Sequence, residues 1–417
     1  MLAAAGLGLG LSLGCFRQES APAAARPAPP AITEDTGRFH PESIGAAIGR
    51  PPWIAHLTAV DLDRDGRLDL LFCEAQDNEV RWLHQTGPGI FEEKLLAGGM
   101  KAPVHVEAAD MDGDGDLDVL VASMSVIFPH NDRIGTVFIL ENDGRQHFTP
   151  HAVLENTSRV TDVRAADLNG DGRMDLALAQ FGYDQGEVSW LEQTGPWQFR
   201  RHVLLELSGA INVAIADFNG DYRPDIVALI SQQWEEVHYF QNDGGGNFSS
   251  TRLWGSTNED YGSSGLAVAD VNRDGRPDLI YTNGDGFDYA VRGHRPWHGL
   301  QWLENTGQGQ FRFHRVGDFP GAYSPCAADL NGDGHTDLVA VSGFADWSDP
   351  KAVALMAWLN DGRQGFTPVP LAHHPIKLVT AATGDLDGDG GPEIVTGALH
   401  AFPPYDHVSN ITLWRRK

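Results

Sequence analysis

The chain of 417 residues is short of cysteine, of basic residues and of long apolar runs. Each shortage excludes something. Its three cysteines, Cys15, Cys73 and Cys326, form no CxxC, so a zinc ribbon, a thioredoxin-type motif and c-type haem attachment are ruled out. Cys73 and Cys326 each sit inside an apolar strand pattern and are expected to be buried thiols. Thirty Lys and Arg face 57 Asp and Glu, a formal charge of -27. A phosphate-binding surface needs an excess of Lys and Arg, so a nucleic-acid partner is excluded. The one apolar run near the N-terminus, MLAAAGLGLGLSLGC, is too short to span a bilayer, and no other run is long enough either. Helical periodicity is absent throughout.

What is present starts with that run. A short apolar segment ending in small residues reads as the core of a signal peptide over residues 1–15. Gly14-Cys15 looks like the cleavage point of a bacterial lipoprotein, with Cys15 the lipidated residue. Residues 16–37 are rich in Pro and Ala and read as an extended tether. The expectation is an extracytoplasmic protein, periplasmic or on the cell surface, that meets the membrane only through a lipid at Cys15.

The remainder is a repeat. DLDRDGRLDL at 61 returns as DMDGDGDLDV at 110, DLNGDGRMDL at 167, DFNGDYRPDI at 217, DVNRDGRPDL at 270, DLNGDGHTDL at 329 and DLDGDGGPEI at 385. The seven starts are 49, 57, 50, 53, 59 and 56 residues apart, a period that marks a solenoid or propeller. A second motif keeps step with the first, as in VRWLHQTGPGIF at 80 and LQWLENTGQGQF at 300. It is an apolar strand, a Gly-containing turn and a Phe opening another strand, which is a hairpin signature. Each period therefore holds four antiparallel strands, the content of a propeller blade. The last period lacks its Phe-led outer strand, and RFHPESI at 38–44 is a stray copy of one. Residues 38–44 are predicted to pair with 411–416 and close the ring, giving an all-β, seven-bladed propeller over residues 38–416.

Carboxylates this dense repel one another. The pattern D-x-[DN]-x-D-G-x-x-[DE] lets side chains at positions 1, 3, 5 and 9 converge on a hard cation such as Ca²⁺, which takes oxygen ligands at about 2.3–2.6 Å. An EF-hand needs a bidentate Glu at position 12. Here that position is Phe72, Val121, Leu178, Ala228, Tyr281, Ala340 or Thr396, so these are not EF-hands.

These loops and their strands resemble the FG-GAP/VCBS repeats of integrin-alpha-type propellers over about nine-tenths of the chain. The resemblance implies up to seven structural Ca²⁺ ions, held between the first two strands of each blade. Carried over by position, the ligands are Asp61, Asp63, Asp65 and Asp69; Asp110, Asp112, Asp114 and Asp118; Asp167, Asn169, Asp171 and Asp175; Asp217, Asn219, Asp221 and Asp225; Asp270, Asn272, Asp274 and Asp278; Asp329, Asn331, Asp333 and Asp337; and Asp385, Asp387, Asp389 and Glu393. Tyr222 replaces the turn glycine of the fourth loop, where a weak or distorted site is expected. Seven divalent ions, carrying fourteen positive charges, would bring the net charge from -27 to -13.

The loops on the opposite face are unlike one another, and they concentrate aromatics, His, Asp and Arg. Residues five before each first Asp begin the inner strands there, and most are polar: His56, His105, Asp162, Asn212, Gly265, Ser324 and Thr380. Candidate ligand-binding residues at this mouth are His56, His105, Asp162, Asn212, Trp234, Asp285, Arg292, Arg295, Trp297, His298, Trp347 and His400. The reading that follows is a monomeric surface module that binds carbohydrate or protein at the mouth. The alternative is a propeller enzyme acting on carbohydrate, of polysaccharide-lyase or sugar-dehydratase type, with an acid, a base or a second metal drawn from His56, His105, His298, His400, Asp162 and Asp285. No Ser-His-Asp order, nucleotide loop or HExxH points to one chemistry.

Overall fold

The structure is a computed structural model that describes residues 39–46, 50–232, 234–287, 289 and 292–416. The signal-like segment 1–15 with Cys15, the tether 16–37 and Arg38 lie outside the described residues. Twenty-eight strands and no helix are found among the described residues. They form seven four-stranded antiparallel sheets. In six sheets the spatial order follows the chain order, because each strand is joined to the next by a loop or tight turn. The inner strands run Ile54–Val60, Pro103–Ala109, Arg159–Ala166, Ala210–Ala216, Ser263–Ala269, Ala322–Ala328 and Leu378–Gly384. Each packs against the inner strand of the next blade, and the last returns to the first. Blades are numbered here from the inner strand Ile54–Val60.

Blade 7 takes its outer strand from the other end of the chain. Phe39–Ile44 pairs antiparallel with Ile411–Arg416, from Phe39 opposite Arg416 to Ile44 opposite Ile411. The predicted closure is thus present over the described residues. Second strands such as Asp118–Ser123 are buried at every position. Each lies within its sheet and has blades on both faces, so it reads as a continuous apolar run, whereas outer strands alternate. The core is a set of apolar wedges between neighbouring blades. One joins Leu71, Val80 and Trp82 of blade 1 to Val106, Val119 and Leu140 of blade 2. Fully burying a Val or Leu side chain contributes about 1.5–3 kcal/mol, so each wedge binds its blades firmly. Cys73 is buried, Cys326 is half-buried, and neither forms a disulfide.

Every inner strand carries a β-bulge near its start, as between Ile54 and His56 or between Val160 and Asp162. A bulge locally breaks the ladder and re-aims side chains. Here it falls beside the seven positions predicted to ring the axis.

Candidate functional site

The acidic loops all have one shape. Positions 4 and 6 hold positive φ in every copy, for example Gly113 at +78° and Gly115 at +100°. Glycine is at ease in that region. Tyr222 occupies it at +66°, and its amide bonds Asp217 Oδ2 at 2.7 Å as the glycines do in other loops. The fourth loop is therefore undistorted, and Tyr222, 96% exposed, points into solvent. The expected distortion is absent because an exposed side chain meets nothing, leaving only a local backbone cost.

The ninth position is a structural strut. Asp118 is buried, and its two oxygens accept from the amides of Met111, at 2.9 Å, and Asn142, at 2.8 Å. Asp69, Asp175, Asp225, Asp278 and Asp337 repeat this bridge between loop and third strand. Burial pushes the carboxyls of Asp69, Asp118, Asp175 and Asp278 up to about 6. The Gln or Asn that precedes each hairpin turn then ties one blade to another. Gln193, Asn242, Asn305 and Asn360 donate to Met111, Leu168, Phe218 and Val271, at the second loop position of the preceding blade.

Three loops bring three carboxylates together with ligand oxygens within 4.8 Å of one another: Asp61, Asp63 and Asp69; Asp110, Asp112 and Asp118; Asp385, Asp387 and Glu393. Asp63 Oδ1 and Glu393 Oε1 are buried there without a hydrogen-bond partner. An all-oxygen set with orphaned acceptors suits a hard divalent cation. Elsewhere Asn stands at position 3, and its amide donates to the position-5 carboxylate, as from Asn219 to Asp221 at 3.0 Å. Arginine at position 7 is a further difference. Arg67, Arg173, Arg223 and Arg276 each pair with the position-5 Asp of their own loop and reach a third-strand carbonyl. At that position the other loops have Asp116, His335 and Gly391.

The opposite mouth opens into a cavity of about 1140 Å³. Its floor is the ring of inner-strand starts and its walls are the unlike loops; no acidic-loop residue lines it. Four phenylalanines from four blades meet across it. Phe128 lies 5.9 Å from Phe287 and 5.8 Å from Phe402; Phe287 lies 5.3 Å from Phe402 and 6.1 Å from Phe344. Buried cations hold two of these loops by their carbonyls: Arg159 donates to Phe128 at 2.9 Å, and Lys377 to Phe402 and Pro404.

A sequence profile described as the FG-GAP-like repeat matches residues 61–121, 125–178, 217–281 and 282–340, more than half of the chain. The chain belongs to the FG-GAP-like repeat family. A T-cell immunomodulatory protein homolog of Plasmodium falciparum (isolate 3D7) is 24% identical over 290 residues, covering 58% of this chain and 38% of the relative. Integrin alpha pat-2 of Caenorhabditis elegans is 28% identical over 214 residues, 45% of this chain and 17% of the integrin. The protein of the same name from Caenorhabditis briggsae gives 28% over 213 residues, 44% and 17%. The chain thus spans well under half the length of the curated relatives it matches. The fold and the repeat agree with an integrin-alpha-like propeller.

Within the FG-GAP propeller, the polar inner ring is largely spent on joining blades. His56 Nδ1 accepts from the Val106 amide at 3.2 Å, Ser324 Oγ from Ala381 at 2.9 Å and Thr380 Oγ1 from Leu57 at 3.0 Å. Asp162 is fully buried; it accepts from Asn212 Nδ2 at 3.0 Å and Arg164 Nε at 3.1 Å and lies 3.2 Å from His105 Nε2. Gly265 has no room for a side chain: an added Cβ would lie 2.9 Å from the Ser324 amide nitrogen. The rings of His56 and His105 are tilted against each other with centroids 4.1 Å apart, and burial holds both well below the usual histidine range.

Of the predicted mouth residues, His56, His105, Asn212, Asp285, Arg292, Arg295 and Trp347 line the cavity. His298 and His400 do not. Both are 1% exposed, and burial lowers them to about 3 and about 4. His298 braces the amides of Arg295 and Gly321, while neither ring nitrogen of His400 has a hydrogen-bond partner among the described residues. Trp297 is turned aside, its indole N–H donating to the Asp260 carbonyl at 2.8 Å, and Trp234 stands 42% exposed on the surface. The four phenylalanines, Arg159 and Lys377 went unnoticed. Their signal is modest: one Phe in each of four variable loops, and a basic residue three before Asp162 and Thr380.

Proposed function

We propose that this FG-GAP propeller is an exported, calcium-stabilised binding module whose ligand, a carbohydrate or a protein, sits in the mouth opposite the acidic loops. The observation that carries the reading is the 1140 Å³ cavity, walled by the loops that do not repeat and floored by a ring already committed to holding blades together. Ligand sites are concave, mostly apolar and furnished with a few convergent polar groups, as this one is. His56 and Thr380 spend their acceptors on amides of neighbouring blades, which favours binding over acid–base catalysis. Calcium belongs to the same reading. The carboxylate groups at 61, 110 and 385 would hold it by their side-chain oxygens and neutralise like charge, with affinity of about 10⁻⁴–10⁻³ M, as in extracellular modules. Export and acylation at Cys15 complete the reading, and the mass of the mature N-terminal peptide tests them.

The mouth is tested by replacing Trp347 with Ala and screening both proteins against a glycan array and a panel of extracellular proteins. The half-buried Trp347 lines the cavity. Loss of the wild-type hits with an unchanged melting curve is the expected result. Hits that survive unchanged place the ligand elsewhere.

A further inference from the structure

Acids outnumber bases almost two to one in the whole chain, 57 to 30. The mouth reverses this balance. Arg159, Arg164, Arg292, Arg295 and Lys377 line the cavity, against Asp285, Asp346 and Asp406. Arg164 is matched below by Asp162 and Glu107. Two other cations have no carboxylate partner among the described residues. Arg292 is exposed, and its guanidinium carbon sits over the Phe402 ring, 3.8 Å from the centroid. Lys377 is 6% exposed, and its ammonium donates to the carbonyls of Phe402 and Pro404 and lies over the Tyr405 ring. Its backbone is held at φ +60°, where the matching residues of blades 4, 5 and 6 are Gly209, Gly262 and Gly321. A lysine in that conformation costs about 1 kcal/mol relative to glycine, so its place there points to use.

Resting on the reading of the mouth as the ligand site, we infer that its ligand is an acidic saccharide, with a carboxylate or sulfate ester that meets Arg292 and Lys377 and a ring face that lies on the phenylalanine cluster. Guanidinium groups bind carboxylate and sulfate through paired N–H donors, and one stacked on an aromatic ring is already oriented. Cations without a carboxylate partner in a body of charge -27 favour an anion at this place. A peptide is the poorer fit. An extended peptide binds by adding to a free strand edge, and here each inner strand faces the neighbouring blade around a closed ring.

The test is an array that carries uronate-bearing, sulfated and neutral glycans, followed by calorimetric titration of the best hit. Wild type, Arg292→Ala, Arg292→Lys and Trp347→Ala are compared, with thermal melts confirming that each is folded. Acidic glycans should bind at least about tenfold more tightly than neutral ones. Arg292→Ala should lose about tenfold in affinity, and Arg292→Lys only about threefold, because Lys keeps the charge and loses the fork. Equal binding of neutral glycans, still weakened by Trp347→Ala, overturns the acidic assignment and keeps the mouth. Binding indifferent to both Arg292→Ala and Trp347→Ala overturns the mouth as well. If no glycan binds while a protein partner is lost on Trp347→Ala, the saccharide assignment falls and the mouth stands.

Discussion

The two faces of this propeller are built from the same seven blades and obey different rules. On one face the loop after each inner strand is copied seven times, down to the positive φ at positions 4 and 6 and, in six copies, the buried carboxylate that bridges loop and third strand. On the other face the loops share no pattern, and phenylalanines from four of them meet over the axis. Identical parts placed at every junction serve what every junction needs, which is rigidity. Parts that occur once can serve something that happens once. The difference can be tested by asking which face stability depends on.

The largest effect is expected at the strut. Asp118→Ala leaves the buried amides of Met111 and Asn142 unpaired, at about 1–3 kcal/mol each, so chemical denaturation should show a loss of about 3–5 kcal/mol. Arg292→Ala on the other face should change stability by less than about 0.5 kcal/mol. Similar losses from the two would erase the contrast.

Next comes the cation. At about one hundred times its dissociation constant, a bound ion adds about 2.7 kcal/mol per site, so chelation should lower the melting temperature by several degrees. The loops at 110 and 385, with three carboxylates and no arginine at position 7, should dominate. Asp116→Arg, which gives the second loop the arginine of its neighbours, should weaken Ca²⁺ binding there about tenfold by calorimetry, roughly the 1.4 kcal/mol of one added opposing contact. No change would mean that the position-7 arginines do not compete with metal.

Acid should act on the two faces with opposite signs. Buried His298 and His400 keep pKa values near 3 and 4, while the unfolded chain takes up these protons near 6.5. Only the unfolded state gains protons between about pH 6.5 and 4, so these residues cost stability as the pH falls. The struts Asp69, Asp118, Asp175 and Asp278, raised to about 6, bind protons first in the folded state. In the cation-free protein they add stability over the same range. His400→Phe should make the protein about 2 kcal/mol less sensitive to a shift from pH 7 to 4.5, measured by urea unfolding.

The smallest effect is at Tyr222. Tyr222→Gly removes a side chain from a φ of +66° and should stabilise by about 0.5–1 kcal/mol, with Ca²⁺ binding elsewhere unchanged. A destabilised variant would give the exposed ring a role that its position does not suggest.

The sequence was most readable where it repeats. Blade number, strand content, loop positions and ring closure all followed from copies that could be laid over one another. The cavity was half readable. Arg292, Arg295, Trp347 and Asp285 were found because polar and aromatic residues in unlike loops stand out. His298 and His400 were misplaced because a loop histidine looks the same in sequence whether it faces the axis or packs beneath a turn. The inner ring was correctly located, but its purpose was hidden. Whether His56 or Thr380 faces a ligand or the amide of the next blade is set by the bulge and by a neighbour some fifty or more residues away in sequence. Phe128, Phe287, Phe344 and Phe402 are brought together only by curvature, which no local pattern records.

Pairing Phe39–Ile44 with Ile411–Arg416 also sets a schedule. The last sheet stays one strand short until Phe39–Ile44 reaches Ile411–Arg416, so the circle cannot lock before residue 416 has been made. Until then the edge of Ile411–Arg416 is bare, and a strand from another copy fits it as well as the chain's own. Brief crowding of unfinished molecules would therefore produce exchanged dimers joined at blade 7, and a peptide copying residues 39–44, added during refolding, would block them.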